Sequence, residues 1–404
     1  MKIMQLHNRY FAGLGGEDTV VEQEYLLLQE RGHSVRQVLV KTEDSDVTGY
    51  SALTSTALKT VWSRTGFRLV RDAIVDFRPD VLHIHNAFPL LSPSVYTAAQ
   101  QLKVPVVQTL HNYRLICANG LLMRSNQVCE ECVGRNSLPA LVHKCYKESL
   151  AATIPLAAMR SIHHGLGTYD RQIARFIVLT EFARKIFIKD GFRSDQLTIK
   201  PNFIKDPLID PIKTKRSNTF IYVGKLVPEK GIDLLIQAWK QAPRTSRLLI
   251  IGDGPENVKL RAMTSDQTNI EWLGWLPNER LLEEIAGCRY LVLPSRWYEV
   301  MPMVLVEALA VGTPAIVPDL GAMPDLIDQG GAGLIFRGGD TDSLAAALAK
   351  AEAEDDKWLS RSATARRIYL DRYTADLNYQ MLMKIYEGVI AETNTARLDP
   401  LPIR

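Results

Sequence analysis

Short apolar runs alternate with helical patterns along almost the whole chain, and this alternation constrains the fold more than any other feature. Five runs in the first half have the length of buried strands: IMQL, SVRQVLV, DVLHIH, VPVVQTL and FIVLT. Helical patterns separate them, beginning with EDTVVEQEYLLLQERG, which closes on a terminating glycine. The β-α-β-α order predicts a parallel, doubly wound sheet.

The same pattern restarts near residue 217. A second set of strands is predicted at TFIYVG, RLLIIG, IEWLG, YLVLP and PAIVP, again separated by helical stretches. Between the two halves lies KDPLIDPIKTKRSN, a polar and proline-containing segment that suits a linker. Near the end, DLNYQMLMKIYEGVIAE predicts one long final helix.

We therefore predict an α/β protein with two Rossmann-like domains that face each other across a cleft. The expected bounds are 1–205 for the first domain and 206–375 for the second, with 376–404 as a helix that packs back on the first domain. A length of 404 residues suits two domains. Because ligands bind at the carboxyl ends of strands in such sheets, the residues that carry the chemistry should follow the strands directly.

Charge and hydropathy exclude several protein classes. Residues 1–205 hold 25 basic and 18 acidic side chains and the remainder hold 23 and 27, so the halves carry +7 and −4. No apolar run reaches the roughly 18 residues of a membrane-spanning helix. The first residues, MKIMQLHNRY, lack the pattern of a signal peptide, so we expect a cytoplasmic protein. Basic residues are not interleaved with a stacking motif, which argues against nucleic-acid binding.

A glycine-rich loop, LHNRYFAGLGGEDTV, follows the first strand. Gly13, Gly15 and Gly16 allow close approach of a ligand to the backbone, and a helix then begins near Glu17, with an N-terminus that favours anions. A dinucleotide fingerprint starting at Gly13 would need a sixth-position glycine, but that position holds Asp18. A nicotinamide dehydrogenase is therefore disfavoured, and no P-loop is present.

Two further loops follow strands in the second half. YVGKLVPEKG places Gly224, Lys225 and Lys230 between a strand and a helix, where two cations and a helix N-terminus suit a diphosphate. IIGDGPE places Gly252 and Gly254 in a tight turn that permits close approach to a nucleotide. Each lysine taken alone is more simply explained as an exposed loop residue.

The segment EVMPMVLVEALAVGTP carries a carboxylate at each end of an apolar stretch. Pro302 fits the first turn of a helix whose N–H groups would face the cleft, with Glu299 just before it and Glu307 about two turns beyond. Carboxylates bind hydroxyls, so the layout suits a sugar on one side of a diphosphate and a ribose on the other. The alternative is structural: Glu299 caps the helix and Glu307 is paired internally.

This segment, EVMPMVLVEALAVGTPAIVPDLGAMPDLI, resembles the E-x7-E region of GT-B glycosyltransferases, specifically of the retaining family 4. GLGGEDTVVEQEYLLLQERGHSV, YVGKLVPEKG and IIGDGPE match the family's glycine loop, diphosphate loop and nucleotide-side turn, so the resemblance covers nearly the whole chain. It implies transfer of a sugar from a nucleoside-diphosphate donor.

The resemblance also implies residue roles. Glu299 would hold the hydroxyls of the donor sugar, Glu307 the ribose hydroxyls and Lys230 the diphosphate. Lys225 stands where the family usually has arginine. The lysine keeps the positive charge but cannot form the two parallel hydrogen bonds that an arginine side chain makes to a phosphate. His111, in TLHNYR, would line the transfer site, and Gly15 and Gly16 would lie near the donor phosphate and acceptor. Backbone amides would meet the phosphate and sugar at four positions: Met301, Pro302, Met303 and Val304.

The chemistry that the resemblance implies is retaining, by front-side attack in which the leaving diphosphate takes the acceptor proton. The enzyme contributes positioning and charge stabilisation. The Asp-x-Asp spacing occurs only at residues 44–46 and 340–342, outside the loops assigned to the donor, so we expect metal-independent catalysis by His111, Glu299, Lys225 and Lys230. UDP-sugars are the favoured donor and GDP-sugars the alternative. The acceptor would be a glycan or a polyprenyl-diphosphate lipid in surface polysaccharide or glycoconjugate assembly.

Other functions stay open at this point. One alternative is transfer to a small soluble acceptor, and another is a catalytically weak sugar-nucleotide-binding scaffold that contacts a partner protein. The lysine at position 225 keeps the second alternative open, whereas the intact Glu299, Glu307, Lys230 and His111 argue against it.

An insertion after His111 concentrates four of the five cysteines in residues 117–145: Cys117, Cys129, Cys132 and Cys145. Cys129-x2-Cys132 is a common half of a zinc site, and four thiolates would complete a closed tetrahedral structural site. Buried thiols or redox pairs are the alternatives. Cys288, near a helix end, is expected in the core.

The segment ALKTVWSRTGFRLVRDAIVDFRP combines basic and aromatic residues in a pattern that suits either an ordinary surface helix or contact with an anionic membrane. With the +7 first half, we expect peripheral contact with the inner leaflet. The residues concerned are Lys59, Arg64, Arg68, Arg71, Arg78, Trp62, Phe67 and Leu69.

Overall fold

A computed structural model describes residues 1–9, 15–41, 59–207 and 216–398. Gly13 and residues 208–215 of the predicted linker therefore lie outside the described residues. No helix in these described ranges is both long and apolar enough to span a bilayer.

The chain divides into two compact units. The first contains Met1–Leu121, Glu130–Pro201 and the chain from Asn378 onward, and the second contains Leu122–Cys129 and Asn202–Leu377. These bounds differ slightly from the expected ones. They also differ within the cysteine-rich insertion, which we assigned as a whole to the first domain. The reason is that Leu122–Cys129 contains a separate two-stranded antiparallel hairpin that joins neither large sheet.

The first unit is built on a six-stranded parallel sheet of order β2-β1-β3-β4-β7-β8. The antiparallel hairpin consists of β5 (Met123–Arg124) and β6 (Gln127–Val128). The strands of the sheet are β1 (Lys2–Arg9), β2 (Ser34–Lys41), β3 (Val81–Asn86), β4 (Val106–Leu110), β7 (Arg175–Val178) and β8 (Leu197–Ile199).

Helices connect these strands. They are α1 (Gly16–Glu30), α2 (Arg64–Phe77), α3 (Ser94–Gln101), α4 (Leu138–Val142), α5 (Leu150–Gly165), α6 (Thr168–Gln172), α7 (Glu181–Lys189) and, from the end of the chain, α15 (Ala375–Leu398). Leu382, Tyr386 and Val389 of α15 share one hydrophobic cluster with Ile3 and Val81 of the first sheet. The last helix thus completes the core of the first unit.

The second unit repeats the design with a six-stranded parallel sheet of order β11-β10-β9-β12-β13-β14. Its strands are β9 (Thr219–Val223), β10 (Arg247–Ile251), β11 (Ile270–Gly274), β12 (Tyr290–Val292), β13 (Ala315–Pro318) and β14 (Gly333–Phe336). Its helices are α8 (Ile232–Lys240), α9 (Asn257–Ala262), α10 (Asn278–Gly287), α11 (Met303–Ala310), α12 (Met323–Leu326), α13 (Thr341–Ala353) and α14 (Asp355–Arg372).

The predicted α/β class with two Rossmann-like sheets is confirmed. In each sheet the strand order reverses beside the first strand of the unit, between β1 and β3 in the first and between β9 and β12 in the second. The connections that follow the two strands at such a point run in opposite directions. A crevice therefore opens between them at the carboxyl ends of the strands. These two points are therefore where a ligand-binding site is expected.

Candidate active site

The loop after β9 opens the site in the second unit. Gly224 N–H donates to Ile251 O (3.0 Å), and Leu226 N–H donates to Asp253 O (2.9 Å). The Tyr222 hydroxyl donates to Lys225 O (3.1 Å) and so supports the loop from below. The Lys225 side chain is exposed. Backbone hydrogen bonds to the neighbouring βα loop thus fix this loop, and the Lys225 side chain extends toward solvent.

Gly252 and Gly254 serve this loop packing. Gly252 has a φ of +134°, and a Cβ built there would lie 2.0 Å from Gly224 O. A Cβ on Gly254 would lie 2.5 Å from Leu226 O. Both glycines are therefore required because two βα loops pack backbone against backbone. This differs from the close approach to a nucleotide that we expected, and direct donor contact by these glycines stays a prediction.

Glu299 and Lys230 form an ion pair next to the carboxyl end of β12. Lys230 Nζ lies 2.6 Å from Glu299 Oε1, and Ser295 Oγ donates to the same oxygen (2.7 Å). The Lys230 ammonium also lies 5.5 Å from the centre of the Trp297 ring. Glu299 is buried, whereas Lys230 is partly exposed. Because both bonds go to Oε1, Oε2 is left for a hydroxyl, and the ammonium keeps donor capacity for an anion.

The helix α11 begins at Met303 with Pro302 as N-cap and without a side-chain cap. The alternative in which Glu299 caps this helix is therefore wrong. Met301, Pro302 and Met303 are buried and Val304 is half-buried. The first N–H groups of a helix have no partner within the helix, so this end can bind an anion through its backbone.

Glu307 lies on α11 with its side chain buried. Its carboxyl group makes no hydrogen bond to any residue in the described part of the chain, so the alternative of internal pairing is also wrong. Burial raises the pKa of Glu307 to about 7. A buried carboxyl without a partner is costly unless a ligand completes it.

The carboxyl end of the first sheet carries the second candidate cluster. Gly15 is the N-cap of α1, and its N–H donates to Asp18 Oδ2 (3.1 Å), while Asp18 Oδ1 lies 2.9 Å from His7 Nε2. Burial and the neighbouring Asp18 raise the pKa of Glu17 to about 8. The start of α1 is thus already occupied by acidic side chains. Acidic side chains at a helix N-terminus agree with its preference for anions, and contact of Gly15 and Gly16 with a donor phosphate stays a prediction.

His111 lies at the end of β4 and belongs to a buried polar network. Its Nε2 is 3.0 Å from His85 Nδ1, and the two rings stack with centres 5.3 Å apart. His85 and His83 project from the same face of β3, since alternate strand residues share a face. Glu24 of α1 reaches both, with Oε1 2.9 Å from His83 Nδ1 and 3.3 Å from His85 Nε2.

Lys200 completes this network from the end of β8. Its Nζ lies 3.2 Å from Glu24 Oε2 and 3.1 Å from Asn378 Oδ1, and the side chain is buried. Burial alone would raise the pKa of Glu24, but His83 and Lys200 hold it well below its usual range. Tyr386 of α15 places its hydroxyl 2.6 Å from His83 Nδ1.

The ligand atoms of Glu24, His83 and His85 lie within 4.8 Å of one another, a spacing that a metal ion could use. The ammonium of Lys200 already offsets the charge of Glu24 at this point. A divalent cation would have to displace that ammonium, so the donor set favours a hydrogen-bonded network over a metal centre.

Known proteins were then compared with the chain. A sequence profile described as "Glycosyl transferase 4-like domain" matches residues 15–202, and one described as "Glycosyl transferases group 1" matches residues 208–367. Between them the two matches leave only the ends of the chain and a short segment at the linker uncovered.

The chain belongs to glycosyltransferase family 4.

Relatives and solved structures agree with this assignment. A phosphatidyl-myo-inositol mannosyltransferase of Mycolicibacterium smegmatis is 26% identical over 93% of this chain and 90% of its own length. An exopolysaccharide phosphotransferase of Streptomyces coelicolor is 30% identical over 56% of this chain, but the match spans only 24% of that protein. The structure of HepE from Anabaena in complex with UDP and glucose superposes with a TM-score of 0.67 at 16% identity, covering 96% of this chain and 100% of that one. That likeness shows the GT-B fold.

The four cysteines of the glycosyltransferase's insertion do not form a compact sulfur cluster. Among the described residues, no three of them bring their sulfur atoms within 4.8 Å of one another. Cys117 Sγ donates to Asn119 Oδ1 (3.0 Å), and Cys132 and Cys145 pack against a cluster that contains Phe88. Zinc binding by Cys117, Cys129, Cys132 and Cys145 stays a prediction that this geometry does not favour. Cys288 is buried, as predicted, and burial raises its pKa to about 12.

The basic segment of the glycosyltransferase forms α2, capped by the Ser63 hydroxyl. Gly66, Val70 and Ile74 face the core. The opposite side exposes arginines together with the apolar Leu69 (41% exposed) and Val75 (57%), and Trp62 (44%) is exposed just before the helix begins. The segment thus packs like an ordinary surface helix, and its solvent-facing side carries both apolar and basic side chains.

Several site residues of the glycosyltransferase escaped the sequence analysis. Ser295 and Trp297, which contact Glu299 and Lys230, lie between the quoted runs YLVLP and EVMPMVLVEALAVGTP. Glu24, His83, His85, Lys200 and Tyr386 form the network behind His111. The alternation of two histidines in DVLHIH was a usable signal, because two polar side chains on one face of a fully buried strand need partners.

Proposed function

We propose that this protein is a retaining glycosyltransferase that moves a sugar from a nucleoside-diphosphate donor to a hydroxyl of a glycan or lipid-linked acceptor. The observation that carries the proposal is the buried, unpartnered carboxyl of Glu307 on the same helix whose open N-terminus lies beside the Lys230–Glu299 pair. The ribose diol would satisfy Glu307, and the donor sugar would occupy Glu299 Oε2.

The donor would be a UDP-sugar, with a GDP-sugar as the alternative. HepE, which shares the fold, binds UDP and glucose. A diphosphate at the N-terminus of α11 would meet the backbone N–H groups of Met303 and Val304 and the ammonium groups of Lys230 and Lys225. Helix N-termini and lysines both stabilise phosphate oxygens.

The same groups account for catalysis without a divalent metal. Charge builds on the leaving diphosphate as the bond to the sugar breaks, and Lys225, Lys230 and the α11 amides would stabilise it. The acceptor hydroxyl would attack from the face of the leaving group and pass its proton to the diphosphate, so that the anomeric configuration is retained. His111 would line the transfer site, and Gly15 and Gly16 would lie near the donor phosphate and the acceptor.

The acceptor would belong to surface polysaccharide or glycoconjugate assembly, in keeping with the relatives' names. A lipid-linked acceptor requires contact with a membrane surface on the cytoplasmic side. The outer face of α2, with its exposed Trp62 and Leu69 beside Arg64, Arg68 and Arg71, would supply that contact.

The first test is a thermal-shift panel with UDP, GDP, ADP and their common sugar conjugates in the absence of divalent ions. We expect one base to raise the unfolding temperature, and one of its sugar conjugates to raise it further. Product anomeric configuration is then read by NMR after transfer to an acceptor. Inversion of the anomeric centre would overturn the retaining assignment, and a strict need for a divalent ion would overturn metal independence.

A further inference from the structure

His111 is connected to a buried carboxylate through one intervening imidazole. His111 Nε2 lies 3.0 Å from His85 Nδ1, and His85 Nε2 lies 3.3 Å from Glu24 Oε1. His85 is buried, Glu24 is fully buried and His111 is partly exposed. All three belong to the first unit. The chain of contacts therefore runs from the core outward to the histidine that the proposed function places at the transfer site.

The charges around His85 keep it neutral. It faces Glu24 from α1, His83 on its own strand, His7 on β1, His111 after β4 and, through Glu24, Lys200 after β8. Lys200 already offsets the charge of Glu24, so a proton on His85 would add an uncompensated positive charge inside the protein. Burial and the neighbouring His83 accordingly lower the pKa of His85 to about 3.

A neutral His85 has two tautomers, and the carboxylate selects between them. If Nε2 carried no hydrogen, its lone pair would face the Glu24 oxygen at 3.3 Å, and two electron-rich atoms would repel. The favoured tautomer carries the hydrogen on Nε2, where the nearby Glu24 charge stabilises it even though the contact lacks the alignment of a hydrogen bond. Its Nδ1 is then an acceptor.

That choice sets the tautomer of the next ring. Because His85 Nδ1 is an acceptor, the 3.0 Å contact is satisfied only when His111 Nε2 carries a hydrogen and donates it. His111 Nδ1 then carries the lone pair, and in the described ranges no protein group hydrogen-bonds to it. Burial and the neighbouring His85 lower the pKa of His111, which keeps the ring uncharged.

We propose that His85, supported by Glu24, is a positioning residue that holds His111 as the neutral Nε2–H tautomer and leaves Nδ1 as an acceptor for a substrate hydroxyl. The substrate half of this proposal rests on the proposed glycosyltransferase function, whereas the tautomer itself does not. A positively charged or Nδ1–H His111 would present a hydrogen to that hydroxyl and could not accept from it.

The direct test is NMR of the full chain labelled with 15N in histidine. Long-range 1H–15N correlations distinguish the two ring nitrogens, and the His111→Gln variant identifies the His111 signals by their loss. We expect an Nε2–H tautomer for His111 that stays unchanged between about pH 5.5 and 8.5, since an unperturbed histidine would titrate near 6.5. An Nδ1–H tautomer, or titration within that range, would overturn the proposal.

Two substitutions at position 85 provide matched variants. Asn in His85→Asn places a carbonyl oxygen near the position of Nδ1 and keeps an acceptor for His111, whereas His85→Leu removes it. We expect the Nε2–H tautomer to persist in His85→Asn and to become a mixture in His85→Leu. An unchanged tautomer in His85→Leu would show that His85 does not select it. If that variant fails to fold, the wild-type spectrum and His85→Asn still decide the question.

Kinetics supply the second readout. One lost hydrogen bond corresponds to roughly a three- to tenfold effect, so kcat should fall by about that factor in His85→Leu and recover in His85→Asn. The KM for the donor should change little, because His85 is not among the residues assigned to the donor. Equal loss in both variants would mean a merely structural role. A protein that transfers no sugar from any donor would instead refute the proposed function, while the NMR result would still stand.

Discussion

The two sheets carry polar clusters at equivalent points of their topology, and the clusters differ in how fully their groups are partnered. Beside β1 and β3, the buried Glu24 contacts His83, His85 and Lys200 within 3.3 Å. Beside β9 and β12, Glu307 is also buried, though less completely than Glu24, and its carboxyl has no hydrogen-bond partner in the described part of the chain.

This difference indicates which of the two clusters can gain more free energy from binding a ligand. A network that is already complete gains little from a ligand, but it fixes the orientation of the groups at its edge, here His111. A buried carboxyl that lacks a partner gains a great deal when a hydroxyl arrives. Under the proposed function, the first unit would position reacting groups and the second would recognise the donor.

Replacing Glu24 by Gln should break the complete cluster. It leaves the buried Lys200 ammonium without its counter-charge, and loss of one partner of a buried pair costs about 3–5 kcal/mol. Because a two-unit chain need not unfold in one step, hydrogen exchange in β1 and β3 is the appropriate measurement. The double variant Glu24→Gln with Lys200→Met should recover most of the loss. The half-exposed Glu22→Gln on the same helix is the control, and equal effects at positions 22 and 24 would refute the argument.

Replacing Lys230 by Ala should remove the main cation of the open cluster. Loss of one group that stabilises transition-state charge typically lowers kcat on the order of a hundredfold. Turnover at saturating donor measures the effect, with Lys240→Ala as control because Lys240 forms an ordinary surface pair with Asp266. Near-normal turnover would remove Lys230 from the diphosphate site.

Replacing Glu307 by Gln should weaken nucleotide binding by about tenfold, since the amide accepts a weaker hydrogen bond from a ribose hydroxyl than a carboxylate does. The free energy of unfolding should not fall, because no protein partner is lost. Calorimetric titration of wild type, Glu307→Gln and the exposed control Glu279→Gln compares the two quantities. Unchanged affinity in Glu307→Gln would end its assignment to the ribose.

The raised pKa of Glu307 gives a further test that the second cluster lacks partners for its carboxyl group. A carboxyl with a pKa of about 7 when folded and an ordinary value of 4.5 when unfolded keeps its proton longer in the native state. Stability should therefore fall as pH rises from 4.5 to 7, by up to about 3 kcal/mol, and then level off. UDP-sugar affinity should rise across pH 7 as the carboxylate forms. Both trends should be absent in Glu307→Gln, and an identical pH profile in the variant would contradict the assigned pKa.

Lys225→Arg should give the smallest change. Arginine offers a planar, bidentate fork to phosphate, whereas lysine is a point charge. We expect two- to threefold tighter nucleoside-diphosphate binding, roughly one extra weak hydrogen bond. The same substitution at Lys240 controls for general charge effects. Weaker binding in Lys225→Arg would mean that the loop is shaped for the lysine.

The sequence predicts the fold well because local patterns determine it. All ten quoted apolar runs form strands, and the helix predicted after Pro302 begins at Met303. The runs LTI in β8 and GLIF in β14 were not singled out from the sequence, and pairing with a neighbouring strand defines them.

The site is predictable only where its residues are close in sequence. Glu299 and Glu307 lie on one segment, so their spacing, taken together with the neighbouring glycine and lysine loops, indicated a ligand. The network behind His111 joins residues as distant as Glu24, Lys200 and Tyr386, and no local pattern connects them. Gly252 illustrates the same limit, because the backbone that it must accommodate belongs to another loop.

The position of α15 has a consequence for the order in which this protein can be made. Leu382, Tyr386 and Val389 close the hydrophobic core over Ile3 and Val81, yet the ribosome delivers them only after the whole of Asn202–Leu377. At ordinary rates of synthesis the nascent first sheet stays uncovered for about ten to thirty seconds. Tyr386 also supplies the hydroxyl beside His83, so a prematurely terminated chain cannot assemble the full histidine network. The first unit can therefore be completed only after the second unit has been translated.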